Sequence, residues 1–373
     1  MRKLKIAIVH DDFIQSGGAE FFLIDILKEL KKDKNLELKV FSPIISNSWK
    51  EKFNKMNIEY EESFLGKIPF VDKFSKIFFL TPLFYISLES FDFMEFDVVF
   101  SSSTRFAHSV ITRPETTHIS YINSPSKMLW EVEKYYFGKK LLYWLVKNFL
   151  PSKRIYDFYT QQRSDVVVAN SQNILEKIYK TYRRESNIIY PFINQNELEI
   201  NSENHKVMPD YYILISRVVP WKRIDYVIDA FNENNQKLLI IGKGDSKYLD
   251  ELKSRSKKNI EFTGFLPSNL KYFYLKNAQA LILPQDEDFG LVILESLNLG
   301  TPVIYFNKGG AKEILSQTYG IPFSIQNKES LQNALQEFQN MTFPKSELVN
   351  YASNFSSENF KKNLFKFMNI SKL

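Results

Sequence analysis

Cysteine is absent from this chain, so neither disulfides nor thiolate metal sites contribute to its stability or chemistry. Histidine is scarce: with only His10, His108, His118 and His205, a histidine-rich metal centre is not expected. No run of about 18 uncharged apolar residues occurs, which leaves no segment expected to cross a membrane. The start, MRKLKIAIVHDDF, reads as a short strand and not as a signal peptide, because its apolar part is brief and no cleavage site follows. The expected localisation is therefore cytoplasmic. The net charge of +6 is too small to argue for a nucleic-acid partner. The G-x-G-x-x-G fingerprint is also missing, so no nicotinamide site is indicated.

What is present suits two domains, since 373 residues exceed one ordinary domain and divide into two of about 150–200 residues, each able to bury a core. The most informative stretch is Ala278–Glu313, AQALILPQDEDFGLVILESLNLGTPVIYFNKGGAKE. Its apolar run Ala280–Leu283 stops at Pro284, as a buried parallel strand does at the edge of its sheet. After an acidic turn, Phe289-Gly290 leads into Leu291, Val292, Leu294, Glu295, Ser296 and Leu297, a helical pattern ended by Gly300. Thr301–Ile304 then begins the next strand. This geometry places a ligand at the strand's carboxyl end and the helix's amino end. Glu287 and Glu295, spaced E-x7-E, offer carboxylates to hydroxyls there, while the amides of Leu291 and Val292 suit an anion such as a diphosphate. A nucleotide sugar combines both features.

The same alternation runs through the rest of the chain. Lys5–Val9 reads as a strand, followed by Gly17-Gly18 at the start of a helix from about Phe21 to Leu30; the glycine pair permits either close approach to a ligand or a tight turn. Leu36–Ser42, Asp97–Ser101, His118–Ile122, Asp165–Ala169 and Asn187–Tyr190 read as further strands. The serines Ser101–Ser103 read either as crevice-lining residues or as turn and cap residues. Asn170-Ser171 reads as a helix cap, and Phe192–Asp210 as an interdomain linker. The second half restarts with strands at Tyr212–Ser216, Lys237–Ile241 and Asn259–Thr263. Arg217 and Lys222 leave the first of these strands, placed to reach a diphosphate as a planar fork and a mobile point charge. Two doubly wound parallel sheets, each with ligands at its strand ends, are the expected α/β architecture.

Together, GGAE (Gly17–Glu20), ISRVVPWKRIDYVIDAF (Ile215–Phe231), IIGKGD, FTGFLP, EDFGLVILESLNLGTPVI and GGAKEIL (Gly309–Leu315) resemble family 4 of the retaining glycosyltransferases. The likeness is strongest to bacterial mannosyltransferases of surface polysaccharide synthesis, and FDVVFSSST, YINSPSKMLWE and VVANSQNI extend it over nearly the whole chain. The resemblance implies the GT-B fold, two Rossmann-like doubly wound domains facing each other across a cleft. Residues 1–195 would form the acceptor-binding domain and 196–350 the nucleotide-sugar-binding domain; 351–373 would be a helix packing back on the first. It implies that Arg217 and Lys222 neutralise the diphosphate, Glu295 binds the ribose and Glu287 faces the donor sugar hydroxyls. Amides around Phe289, Gly290 and Leu291 would assist, Gly17 and Gly18 would approach the phosphate, and Gly242 to Gly244 with Phe265 would border the base. Relatives carry His-[Ser/Thr]-Pro where this chain has Asn123-Ser124-Pro125, so an imidazole that contacts the donor sugar is replaced by a carboxamide that is no base near neutral pH. His118 is not expected to substitute for it.

The implied function is metal-independent, retaining transfer of mannose from GDP-mannose onto a glycan or lipid-linked oligosaccharide in polysaccharide or O-antigen synthesis, with no cofactor. The leaving phosphate would take the acceptor proton; Glu287 as a covalent nucleophile is a variant. Alternatives are a UDP-sugar donor, a divalent metal on the D-x-D of Asp286-Glu287-Asp288, and a catalytically silent nucleotide-sugar-binding protein. Finally, Lys127–Arg163 holds eight basic residues against three acidic ones, interleaved with Trp130, Tyr135, Tyr136, Phe137, Tyr143, Trp144 and Phe149. This segment reads either as a helix pair peripheral on an anionic membrane or as core packing with a solvated lysine face.

Overall fold

A computed structural model gives the fold and describes residues 2–15, 17–69, 71, 81–132, 143–144, 147–194, 209–315 and 318–368. The chain divides into two units, Met1–Pro191 with Ser357–Leu373, and Phe192–Ser356.

The first unit is a parallel sheet of seven strands. In chain order they are β1 (Leu4–His10), β2 (Leu36–Ser42), β3 (Glu59–Glu62), β4 (Val98–Ser103), β5 (Thr117–Ile122), β6 (Val166–Ala169) and β7 (Asn187–Ile188). Their spatial order is β3-β2-β1-β4-β5-β6-β7. Helices α1 (Gly18–Lys31), α2 (Asn47–Lys55), α3 (Pro82–Glu89), α4 (Leu150–Gln161) and α5 (Gln172–Tyr182) accompany it. The apolar runs IAIV of β1 and VVF of β4 are wholly buried, as central parallel strands covered on both faces must be. The strand order reverses between β1 and β4, which pair from Ile6 opposite Val98 to His10 opposite Ser102. Loops leaving these two strands diverge, so the sheet's carboxyl edge opens there.

The edge strand β3, EYEE, shows no apolar run and was not expected; between it and β4 the described residues hold a short 3-10 turn, Phe64–Lys67, and α3. The serines Ser101–Ser103 are the buried end of β4 and not a turn. Helix α1 starts at Gly18, three residues before the apolar pattern begins, because the Glu20 carboxylate accepts from the Gly17 N–H at 2.8 Å and closes the first turn.

The second unit is a six-stranded parallel sheet of β8 (Tyr211–Ile215), β9 (Lys237–Ile241), β10 (Ile260–Gly264), β11 (Leu281–Leu283), β12 (Val303–Phe306) and β13 (Gly320–Phe323), ordered β10-β9-β8-β11-β12-β13. Helices α6 (Ile224–Asn234), α7 (Ser246–Arg255), α8 (Ser268–Asn277), α9 (Leu291–Asn298), α10 (Gly309–Ile314), α11 (Lys328–Gln339) and α12 (Lys345–Ala352) belong to it. Alternate strand residues feed two cores: Tyr212, Leu214, Leu238, Ile240, Ile282 and Ile304 pack on one face, and Tyr211, Ile213, Leu239, Ile241, Leu281 and Val303 on the other. The order reverses between β8 and β11, which brings the loop carrying Arg217 and Lys222 beside the loop carrying Glu287.

The terminal helix does not run unbroken from Tyr351. Tyr351 lies in the last turn of α12, where its ring stacks on Tyr319 at 4.0 Å and its hydroxyl donates to the Ile314 carbonyl at 2.6 Å, holding it in the second unit. A separate helix, Ser357–Phe367, belongs to the first unit, with Phe360 edge-on to Phe22 at 5.5 Å and Lys361 3.3 Å from Asp33. Of the expected linker, residues 195–208 lie outside the described residues.

Asp11 organises the open edge of the first sheet. Its two oxygens accept from the backbone N–H groups of Thr104, Arg105, Phe106 and Ala107 and from the Thr104 hydroxyl, at 2.6–2.9 Å. Burial pushes this carboxyl up, but Arg105, His10 and the Phe106 and Thr104 amides outweigh it and hold it below its ordinary 3.8. A folded-state value below the unfolded one gives stability that is full above about pH 4 and lost as pH falls through the folded-state value. Replacing Asp11 by Asn turns an amide donor on this row of donors and should destabilise the protein by about 3 kcal/mol or more at neutral pH. Thermal unfolding of both proteins from pH 7 downward checks this, with the gap in Tm expected to narrow below about pH 4.

Candidate functional site

The carboxyl edge of the second sheet is built from loops that continue the parallel ladder beyond the strands. Ser216 N–H donates to Ile241 O at 3.1 Å, Val218 N–H to Lys243 O at 3.0 Å and Asp245 N–H to Val218 O at 3.0 Å. This close pairing explains two glycines. A Cβ on Gly242, at φ +153°, or on Gly244 would lie 1.8 Å from the carbonyl oxygen of Ser216 or Val218, so both positions serve the chain's own backbone approach. Phe265 follows the turn at Gly264 and is exposed, with Lys243 Nζ 5.7 Å from its ring centroid.

The Pro220–Lys222 turn then places Lys222 Nζ against Glu287 Oε1, an oxygen that also accepts from Gln285 Nε2. Two residues 65 positions apart thus meet at the reversal point, while Arg217, on the same loop, has an exposed side chain. The turn holding Glu287 is fixed by its own main chain: Gly310 N–H donates to Glu287 O at 2.8 Å, and Tyr226 OH and Gln326 Nε2 donate to Pro284 O at 2.7 and 2.8 Å. A Cβ on Gly309, at φ +63°, would stand 2.3 Å from Glu287 O. The glycines of GGAKE therefore let the next strand–helix turn close over this one.

Gly290, at φ +97°, ends the turn and opens α9, whose first amides belong to Leu291 and Val292. Phe289, whose amide is expected to assist at the donor, sends its side chain into the core, where it meets Phe355 at 6.3 Å; its ring is an anchor. Glu295 lies one helical turn beyond Leu291 and is held by Lys271 of α8, whose Nζ is 2.8 Å from both carboxylate oxygens. The two carboxylates of E-x7-E thus each carry a lysine, Lys222 for Glu287 and Lys271 for Glu295. Lys271 escaped the sequence reading, since a lysine 24 positions before a glutamate carries no local signal, and Gln285 stood out only as part of the polar turn before Glu287. Asp286, of the D-x-D pattern, lies 3.8 Å from Lys308; among the described residues no three His, Asp or Glu side chains are placed to hold a metal ion.

In the first unit Gly17 is extended, at φ −123° and ψ −178°, so it does not serve a left-handed turn. A Cβ there would stand 2.7 Å from Glu20 Oε2, so the missing side chain admits the cap. Gly18 is exposed at the first position of α1. Buried beneath is His10, whose Nδ1 is 2.8 Å from Ser102 O and whose Nε2 is 3.7 Å from Glu20 Oε1. Asn123 follows β5 and donates from Nδ2 to Ser102 Oγ at 3.0 Å. Ser102 therefore ties the ends of β1, β4 and β5 together. His118 lies inside β5 against Ser101 Oγ at 2.8 Å, and burial pushes it down to about 3, helped by His108, Arg163 and Arg184; it is a neutral core histidine. Ser171 caps α5, accepting from Ile174 N–H at 3.1 Å.

The basic, aromatic segment divides between interior and surface. Trp130 Nε1 donates to buried Asp157 at 2.7 Å, Tyr182 OH donates to the same carboxylate at 2.9 Å, and Lys153 is buried with its ammonium 5.2 Å from the Tyr85 ring centroid. These three are packing residues and not part of a lysine-lined outer face. Tyr143, Trp144 and Phe149 are exposed, as are Ile155 and Tyr159 of α4. Lys134, Tyr135, Tyr136, Phe137, Lys139 and Lys140 lie outside the described residues.

Residues 195–355 match the family model described as glycosyl transferases group 1. The chain is 25% identical to the alpha-1,3/1,6-mannosyltransferase ALG2 of Candida glabrata, over 84% of this chain and 78% of that protein. It is 23% identical to an uncharacterized glycosyltransferase of Methanocaldococcus jannaschii, over 99% and 98% of the two chains. Among solved structures, Anabaena HepE in complex with UDP superposes with a TM-score of 0.72 at 18% identity, covering 99% of this chain and all of that one. A Rickettsia africae glycosyltransferase gives 0.68 at 18% identity over the full length of both chains. The chain is a glycosyltransferase, and its two Rossmann-like units form the GT-B fold.

Proposed function

We propose that the second unit holds a nucleotide sugar at the carboxyl ends of β8 and β11 and that the protein transfers the sugar, with retention and without a metal, to a glycan or lipid-linked oligosaccharide in surface polysaccharide synthesis. The observation that carries this reading is the meeting of Lys222 with Glu287 just before the amino end of α9, with Glu295 one turn along the same helix. Membership of family 4 belongs to the same reading. Mannose is the sugar proposed, because one relative is described as a mannosyltransferase, and GDP-mannose is the proposed donor. A UDP-sugar is the alternative, since HepE is described in complex with UDP.

Breaking the anomeric C–O bond leaves negative charge on the diphosphate and positive charge on the sugar ring, so groups aimed at the leaving oxygens lower the barrier most. Lys222, exposed Arg217 and the amides of Leu291 and Val292 take that role, supplying positive charge where another transferase would use a divalent cation. Glu287 accepts from the hydroxyls of the sugar, its position fixed by Lys222 and Gln285. The diphosphate oxygen that loses the sugar takes the proton of the attacking acceptor hydroxyl, so the new C–O bond forms on the face where the old one broke. Glu295 holds the ribose, and Phe265 and Gly242 border the base.

Thermal unfolding with GDP, UDP and their sugars, with and without chelator, tests the donor site. One nucleotide should raise Tm equally in both conditions, and Glu295→Ala should abolish the shift; a shift that vanishes with chelator would refute the metal-free reading.

The reading includes residence on the inner face of the cell membrane through the exposed Trp144, Phe149, Ile155 and Tyr159 beside Lys147. In flotation with vesicles containing about 30% phosphatidylglycerol, the wild type should float, and Trp144→Ala with Phe149→Ala should cut the bound fraction severalfold. Equal flotation of the two proteins would contradict membrane docking through these residues.

A further inference from the structure

Resting on the reading of the second unit as a nucleotide-sugar site, we infer that Lys271 positions the Glu295 carboxylate and so sets how strongly the protein selects a ribonucleotide over its deoxy counterparts. A carboxylate that binds a ribose diol must present both oxygens in a fixed plane, yet a glutamate has three rotatable side-chain bonds. Lys271 removes that freedom. Its Nζ stands 2.8 Å from each oxygen of Glu295, which uses one lone pair on each; Oε2 keeps its second for a hydroxyl, and the second of Oε1 faces the Tyr272 hydroxyl only at 3.4 Å, a long contact that a ribose hydroxyl can displace. The two side chains are only 19% and 16% exposed, so water competes weakly for the pair.

The lysine is itself fixed. It lies in the first turn of α8, where its N–H donates to Pro267 O at 2.9 Å, directly after the Gly264–Pro267 turn. Its ammonium sits 4.4 Å from the ring centroid of Tyr272, a residue partly buried against the core that α9 also covers. The Tyr272 hydroxyl is 3.4 Å from Glu295 Oε1, too long to replace the ammonium as the orienting donor. Lys222 is different, since its partner Glu287 stands in a turn, whereas Lys271 and Glu295 sit on two helices of one unit and hold the carboxylate before any ligand arrives. A pair that merely joined α8 to α9 would affect stability and leave ligand selection unchanged.

The test is calorimetric titration of the full chain with GDP and UDP, each beside its 2′-deoxy and 3′-deoxy forms, for wild type, Lys271→Met and Lys271→Arg, with Tm recorded for each protein. Wild type should bind one ribonucleotide at least about tenfold more tightly than its deoxy forms. Lys271→Met should weaken the ribonucleotide about tenfold and the deoxy forms little, so that selectivity collapses, and Lys271→Arg should restore most of it. Selectivity that survives in Lys271→Met, or equal weakening of ribo and deoxy forms, overturns the positioning role even if Tm falls. A wild type that binds a nucleotide without discriminating the hydroxyls refutes the ribose role of Glu295 while leaving the nucleotide site intact. No binding of either nucleotide refutes the site itself.

Discussion

The second unit depends on one constraint: the chain must turn from β11 into α9 while keeping a carboxylate at the sheet edge. An acidic side chain there would repel a diphosphate unless a cation stood beside it. Lys222, delivered by the neighbouring loop at the point where the strand order reverses, supplies that cation. Everything around the turn serves to hold it. The Glu287 carbonyl is tied to Gly310, the Pro284 carbonyl to Tyr226 and Gln326, and Phe289 is sunk in the core. The two glycines after β9 and the two that open α10 allow adjacent loops to approach within main-chain hydrogen-bonding distance, so the edge is tied together by its own backbone.

The first unit solves a similar problem by different means. Its reversal point between β1 and β4 is knitted by Asp11, which gathers four successive backbone amides, and by Ser102, which meets both His10 and Asn123. Buried histidines here are structural: His118 is neutral inside β5, and His108 sits between Ser103 and Asp157. Asn123, where relatives are expected to carry histidine, is integrated into this network through its side chain and its carbonyl, which accepts from Asn170.

The strand–turn–helix unit around Glu287 was legible because its signals are local: an apolar run stopped by proline, a glycine at positive φ, and a helical repeat ended by another glycine at Gly300. Lys222 and Glu287 were both identified, though not as partners, since their pairing depends on strand order. Lys271 went unseen for the same reason, being meaningful only through Glu295, 24 positions further on, and the contacts of Gln285 with Glu287 and of His10 with Glu20 appear only once the turns are folded. Periodicity misled where it gave a face without its neighbour: Trp130 and Lys153 look like parts of an amphipathic surface but are covered by Asp157 and Tyr85. Edge strand β3 is polar and so lacks the buried apolar run that marks a central strand, while the buried edge strand β13, GIPF, is broken up by Gly320 and Pro322, residues that argue against a strand. The residues chosen for the donor site on resemblance fall on one sheet edge of the second unit, apart from Gly17, Gly18 and Asn123 in the first; Phe289 was chosen for its amide, and its ring serves the core.

Hydrogen–deuterium exchange of the full chain, with and without the nucleoside diphosphate that binds, tests the central claim most directly. Within the second unit, protection should concentrate in peptides covering Ser216–Arg223, Gly242–Asp245, Gly264–Lys271 and Gln285–Glu295, the loops that form the edge at β8, β9, β10 and β11. Protection confined to the first unit, or spread over the second unit with these loops unchanged, would contradict a donor site built on the Lys222–Glu287 turn.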